Sequence, residues 1–247
     1  RIGSPVESYK DVKNVANSVH SYILMVWSNI DRSELTESDD DVGDISSISY
    51  SDKDKKININ GSGASVSGKI VTITQGGEYT VSGKITDGMI QVNSTAKVKI
   101  RLSNANISNS SGPAILFANA DKAFITVANG TTNYLSDGSS YSNGKGTIFS
   151  ETDLEIKGKG TLYITANYKH GICCDNDLVI ENGIINIQSA VKDGIHAKKS
   201  IEISGGTINI KNCEGDAIDC RCKLIERQTI FIKIKSQLII IAVMEMV

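Results

Sequence analysis

The sequence predicts an all-β chain wound as a parallel β-helix, a solenoid with coils of about 23 residues, and three observations carry that expectation. The first is a period. Ile148, Ile172, Ile195 and Ile218 recur at steps of 24, 23 and 23, each followed two positions later by a small residue, Ser150, Cys174, Ala197 or Cys220. The second is the texture within each period. Leu154, Leu178 and Ile201 form one further column, Ile156, Ile180 and Ile203 another, and Leu162, Ile185 and Ile208 precede Ile164, Ile187 and Ile210. Each repeat thus holds three short segments of period-2 alternation, parted by Gly, Asn, Asp or Lys turns, and no helical period. The third is composition: 36 Ile against 10 Leu, with 22 Gly and only 2 Pro, favours strands and turns over helices.

Taken in chain order, residues 1–56 read as a linker or cap. Six acids and no base fall within residues 34–44, and the apolar run 22–27 could cover an open end of the solenoid, whose last strand exposes unpaired backbone. Residues 57–220 read as the solenoid. Its early part, at 69–81, 89–92, 98–102, 114–117 and 124–127, keeps the strand-and-turn texture with looser spacing. Equivalent residues of successive coils then stack about 4.8 Å apart, and the inward columns become aliphatic ladders. Helical repeats are excluded by the absence of helical period, and a leucine-rich repeat by the absence of its spaced Leu pattern closing on Asn. Residues 221–247 lose the turn signals and read as an aberrant tail. Met244 to Val247, read one frame over, encodes Gly, Asn or Asp, then Gly, so the tail resembles a frameshifted coil.

Charge and cysteine usage bound the function. With 26 Lys+Arg against 28 Asp+Glu, a net charge of -2 and pI near 6.0, the chain is not a basic nucleic-acid binder. Its apolar runs fall short of the roughly 18 residues of a membrane helix, and the chain opens at Arg1 without a basic, apolar, small-residue leader, so a signal peptide is expected to be absent or removed ahead of this numbering. Five cysteines lack paired Cys-x-x-Cys elements. Cys174 and Cys220 share an inward column two coils apart, about 9.6 Å, too far for a disulfide. A monomer is expected.

Stacking converts period into candidate sites. Gly146, His170, Asp193 and Asp216 each stand two residues before an inward Ile, so Asp193 and Asp216 are expected one coil apart, a pairing that a shared proton or a calcium ion would relieve. Asp153 with Asp175, Asn176 and Asp177 forms a second acid corner. Either group reads equally as turn residues. Lys192, Lys198 and Lys199 flank the acids, as solvated turn lysines or as the base of a calcium-dependent polysaccharide lyase. His170 and His196 are expected on neighbouring coils but in different columns, meeting solvent or sugar rather than zinc. Tyr163, between inward Leu162 and Ile164, faces outward as a platform for a pyranose ring, and Tyr168 and Tyr141 are further candidates. Carbohydrate contacts are therefore expected from Tyr163, Tyr168, His170, Lys192, His196 and Lys198.

Five motifs in order resemble one bacterial family. They are GEYTVSG at Gly77 to Gly83, Thr86-Asp87-Gly88, GTTNYLSDG at Gly130 to Gly138, Asp153-Leu154 with Gly158-x-Gly160, and Asp193-Gly194-Ile195. Together they are similar to the carbohydrate-binding domain-containing family, over residues 57–219. The resemblance implies a right-handed parallel β-helix akin to polysaccharide lyases, an extracellular or cell-surface setting, bound calcium, and plant cell-wall polysaccharide, acidic pectin or cellulose, as partner. The right hand also follows the rule for parallel crossovers. Asp177, Asp193 and Asp216 carry over as calcium ligands. His170 stands where the family usually has Asn or Asp, and Lys199 where an acid is common, which removes one ligand from each column. Calcium-assisted, non-catalytic polysaccharide binding is the leading expectation, with a lysine-based pectate lyase and a structural or adhesive surface solenoid as rivals.

Overall fold

The computed structural model describes residues 45–51, 56–220, 230–234 and 237–241. The expected cap at 22–27 and most of the tail lie outside these residues. The described chain is all strand and turn, and its strands form two sheets.

The larger sheet has 14 strands and the smaller has 8. Through the repeats the pairing is parallel and offset by one period. Leu154 pairs with Leu178 and Leu178 with Ile201; Leu162 pairs with Ile185 and Ile185 with Ile208; Ile148, Ile172, Ile195 and Ile218 line up in the smaller sheet. Ladder members Ile156, Ile164, Ile180 and Ile185 are fully buried and belong to one continuous apolar core. Burying an aliphatic side chain contributes about 1.5–3 kcal/mol, so these columns dominate the stability.

The right-handed parallel β-helix expected from the sequence is corrected here. Three separated strand segments per repeat would give three parallel faces, but two of the three columns belong to one bent sheet, a half-barrel of mostly parallel strands. The strand Val98–Ser108 is the reason. Its first half pairs with Ala123–Val127 and its second half with Thr132–Ser136, so hydrogen bonding runs on through the corner. Nor are the sheets purely parallel. Ile45–Ser51 with Lys56–Asn60 and Ile230–Ile234 with Gln237–Ile241 are antiparallel in the larger sheet, as is Ala64–Ser67 with Ile70–Ile73 in the smaller one. The period also fails upstream: Ile115 pairs with Ile148, 33 residues on.

The bend has a local chemical cause. Asn104 takes a left-handed backbone conformation at φ 58, which Asn tolerates better than a branched residue. Its side-chain oxygen accepts the backbone N–H of Thr132 at 3.1 Å. The next N–H, that of Ala105, is buried and donates to Asn133 Oδ1 at 2.8 Å. Asn133 Nδ2 donates in turn to Thr131 Oγ1 at 3.0 Å and to the Thr161 carbonyl at 3.3 Å. Asn133 stands beside Leu162, at a position of the inward Leu162–Ile185–Ile208 column. A fully buried amide therefore replaces an aliphatic residue because the corner leaves backbone groups that need partners.

Asn133→Ala should lose about 1–3 kcal/mol of stability, the cost of an unpaired buried N–H at Ala105. Asn133→Leu, which restores the aliphatic column, should not recover it. Urea unfolding of both variants checks this, and a Leu variant as stable as the parent would refute the assignment.

Candidate functional site

The outer face of the smaller sheet gathers the titratable groups. Strands Gly146–Ser150, His170–Cys174, Ile195–Ala197 and Ile218–Cys220 turn their Ile residues inward, which leaves Phe149, Cys173, His196 and Asp219 as a register column on the other face. Met89, Leu116, Phe149 and Cys173 form a small apolar cluster there. Against it lies the segment ahead of Gly146, where Lys145 places its ammonium 5.2 Å from the centre of the Phe149 ring.

His170 joins this face because the alternation breaks at Gly171. A Cβ at Gly171 would lie 3.0 Å from the Ile187 side chain, so Gly171 and the inward Ile172 both face the core. Gly194 repeats the arrangement against Ile210. His170 is thereby released to the outside, where its ring stacks on that of His196 with centroids 4.6 Å apart and planes at 21°. The two histidines keep the separate register columns expected of them, His170 beside Gly146 and His196 beside Cys173, and what the period did not show is that their rings meet across neighbouring strands.

Asp193 completes the cluster. Its Oδ2 lies 3.1 Å from His170 Nδ1 and 3.6 Å from His196 Nδ1. Its Oδ1 accepts the backbone N–H of Asp216 at 2.9 Å, and its own N–H donates to His170 Nδ1 at 3.3 Å. His196 Nδ1 lies 2.8 Å from Asp219 Oδ2. Burial, reinforced by the neighbouring His196 ring, pushes the His170 imidazole down to about 4, so it is neutral at physiological pH. The expected Asp193–Asp216 carboxylate pair takes a different form: Asp216 presents its backbone N–H to Asp193 while the residue stays exposed.

A second group lies alongside. Asp175 Oδ2 accepts from Lys145 at 2.5 Å and from Lys198 at 2.6 Å, while its Oδ1 is buried without a hydrogen-bond partner. Burial opposes ionisation of Asp175, but the two ammonium groups outweigh it and hold the carboxyl below its ordinary value. The hydrogen bond to Asp175 in turn holds the Lys198 ammonium above its usual value. Burial pushes the Cys173 thiol up to about 12, which leaves it protonated and unreactive. Over these groups opens a cleft of about 600 Å³, lined by Lys145, Lys169, Lys192, Lys198, His170 and His196 together with Val191, Asp193, Glu214 and Gly215.

The other expected residues are dispersed. Asp153 Oδ1 accepts the N–H of Asp177 at 3.3 Å, Asp177 Oδ1 accepts the Ser200 hydroxyl at 2.6 Å, and Asn176 Nδ2 donates to the Glu151 carbonyl at 3.3 Å. These side chains tie one repeat to the next. Lys199 donates its N–H to the Asn176 carbonyl at 3.4 Å and is not among the cleft residues. Tyr163 lies in the larger sheet and stacks on Tyr134, with centroids 5.1 Å apart and planes at 10°. The two tyrosines border a hollow of about 260 Å³, and the register continues their column through Asn186 and Asn209. Tyr168 packs against Tyr141 under the Lys169 ammonium. Sequence reasoning missed Tyr134, Lys145 and Asp219. Asp219 was within reach of it, since it stands 23 residues after His196.

Comparison with known proteins bears on this face and on the fold that carries it. The family model described as carbohydrate-binding domain-containing protein matches residues 67–242. The chain belongs to this family. A carbohydrate-binding domain-containing protein from Acetivibrio thermocellus is 35% identical over 156 residues, covering 60% of this chain and 54% of that one, so the chain spans about half the length of the curated relative it matches. Among solved structures, a polysaccharide lyase-like protein from C. thermocellum, a gadolinium derivative, superposes with a TM-score of 0.60 at 26% identity, over 77% of this chain and 96% of that chain. The match to the carbohydrate-binding domain-containing family includes part of the tail, and the strand Ile230–Ile234 pairs in parallel with Thr207–Ile210, Ile232 beside Ile208. Among the described residues, no helix is long and apolar enough to cross a membrane.

The calcium that resemblance to the carbohydrate-binding domain-containing family implied can be tested against the donors. Calcium takes six to eight oxygen ligands. Among the described residues, the metal-capable side chains that converge are His170, Asp193 and His196, two imidazoles and one carboxylate. Of the ligands expected at two corners, Asp153, Asp177 and Asp193 accept hydrogen bonds across repeats and Asp175 is paired with two lysines, and among the described residues neither corner brings three of its carboxylates together. This donor set does not fit calcium.

The Asp175 pairing carries a pH signature. Its folded value lies below the ordinary 3.8, so its contribution is complete above that pH and is lost as pH falls through the folded value. With Lys145 and Lys198 side chains 40% and 45% exposed, the contribution is about 0.5–1 kcal/mol after solvent screening. Asp175→Asn should therefore be less stable than the parent by that amount at pH 7, with the gap closing in strong acid. Denaturant unfolding at pH 7, 5 and 3 checks it, and a gap of constant size would count against the ion pairs.

Proposed function

We propose that this chain binds an acidic polysaccharide, a uronate-rich chain of the pectin type, in the lysine-lined cleft of its smaller sheet, without cleaving it. The observation that carries the reading is the convergence of four lysines and two imidazoles on one open cleft lined by only two acids, in a chain whose net charge is -2. Cationic groups in a concave surface concentrate an anionic polymer and orient its carboxylates. A polymer of that size places the encounter outside the cell or at its surface.

Two of the three candidate bases, Lys198 and Lys199, are unsuited to lyase chemistry. Proton abstraction beside a uronate carboxylate needs a neutral amine, and a lysine base is made by lowering its affinity for a proton. Lys198 is held the other way by Asp175, and Lys199 is not among the cleft residues.

A second reading rests on the stacked Tyr134 and Tyr163. Their near-parallel rings, with Tyr134 47% exposed, suit the apolar face of a neutral β-glucan such as cellulose, on the other sheet from the lysines.

Affinity electrophoresis of the full chain through polygalacturonate tests the first reading. Retardation is expected, weakening as salt rises. Lys169→Ala combined with Lys192→Ala should weaken binding about 3- to 10-fold, on the scale of exposed charge pairs. Lys159→Ala, at an exposed site outside the cleft, should change nothing. Unsaturated uronide absorbance in the same gels would turn the assignment to a lyase, and unretarded mobility would remove it. Tyr134→Ala should reduce retention on cellulose while leaving polygalacturonate binding intact.

A further inference from the structure

We propose that His170, Asp193 and His196 form a binding site for a divalent transition-metal ion of the zinc class. The inference stands apart from the carbohydrate reading, and either can fail alone.

Geometry is the first support. Each residue offers one ligand atom, and these atoms all lie within 4.8 Å of one another. A tetrahedral ion bonded to nitrogen and oxygen at about 2.0–2.2 Å holds its ligand atoms about 3.3 Å apart. The Asp193 carboxylate already lies 3.1 Å and 3.6 Å from the two imidazoles, so small side-chain rotations complete the set.

Donor chemistry is the second. Two imidazole nitrogens and one carboxylate suit zinc and its first-row neighbours, whereas calcium prefers oxygen alone.

Support around the ligands is the third. The Asp216 N–H holds Asp193 Oδ1 and leaves Oδ2 to the rings. Asp219 Oδ2 lies 2.8 Å from His196 Nδ1, the ring nitrogen that also faces Asp193, so it adds a negative charge beside the ligand set. Backbone positions are set by strands on both sides, since His170 begins one strand and His196 is the centre of the next.

The cleft limits what the site can do. Lys192, Lys145, Lys169 and Lys198 line it and oppose a cation, although Asp175 engages two of them. With three protein ligands on a cleft wall, the remaining coordination falls to water or to an anionic group in the cleft, as in open rather than closed zinc sites.

The test is titration of the untagged full chain, freed of metal by a chelator, with Zn²⁺ by calorimetry and with Co²⁺ by visible absorption. One equivalent should bind, with the intense bands of four-coordinate cobalt, and excess Ca²⁺ should not displace it. His170→Asn and His196→Asn should each weaken binding more than tenfold. Circular dichroism checks that the variants fold. Should they not, Zn²⁺ must protect both imidazoles of the parent chain from diethyl pyrocarbonate while Ca²⁺ does not. Absence of Zn²⁺ and Co²⁺ binding, binding unchanged in both folded histidine variants, equal competition by Ca²⁺, or unprotected imidazoles would each overturn the proposal.

Discussion

Parallel pairing at an offset of one repeat is the constraint on which the rest of the structure depends. It sets each residue beside its equivalent about 4.8 Å away, so one choice of side chain becomes a column. Inward, the columns are Ile and Leu, fully buried for most of their length. At the turns, where outward Asp and Asn face the next repeat, the same spacing lets a carboxylate or amide reach the following strand, as Asp153 reaches Asp177 and Asp193 reaches Asp216. Columns of like charge would repel at this spacing. Alternation of acids with hydroxyls, backbone N–H groups and lysines avoids that cost.

Chemistry appears where the columns are interrupted. At Gly171 and Gly194 two successive residues face the core, and the residue before each pair, His170 and Asp193, is delivered to the outer face. An inserted segment ahead of Gly146 brings Lys145 to the same place. The smaller sheet thus carries a buried imidazole pair inside a rim of ammonium groups. The larger sheet keeps its register through Tyr134, Tyr163, Asn186 and Asn209, a flat ladder of planar groups. Two surfaces of different chemistry therefore share one core.

The corner of the larger sheet shows how a single polar residue redirects a fold. Asn133 occupies a position that later repeats give to Leu162, Ile185 and Ile208, and its amide satisfies the backbone left open where Val98–Ser108 bends. Because the bend keeps its hydrogen bonds, two strand columns merge into one half-barrel. A reading based on turn signals separates them, since Gly, Asn and Asp mark a change of direction without saying whether pairing continues through it.

Strand content, repeat length and the identity of the inward residues were legible from the chain alone, because alternation and period are properties of neighbouring residues and of backbone geometry. The Ile148 column and the outward face of Tyr163 are examples. The number of sheets, the antiparallel pairs at Ala64–Ser67 and Ile70–Ile73 and the meeting of His170 with His196 were not. These depend on which distant strand supplies a hydrogen-bond partner and on one-residue breaks in alternation, and each such break moves a side chain from one face of a sheet to the other. Local pattern decides what a residue is suited to touch, and the folded chain decides what is there to be touched.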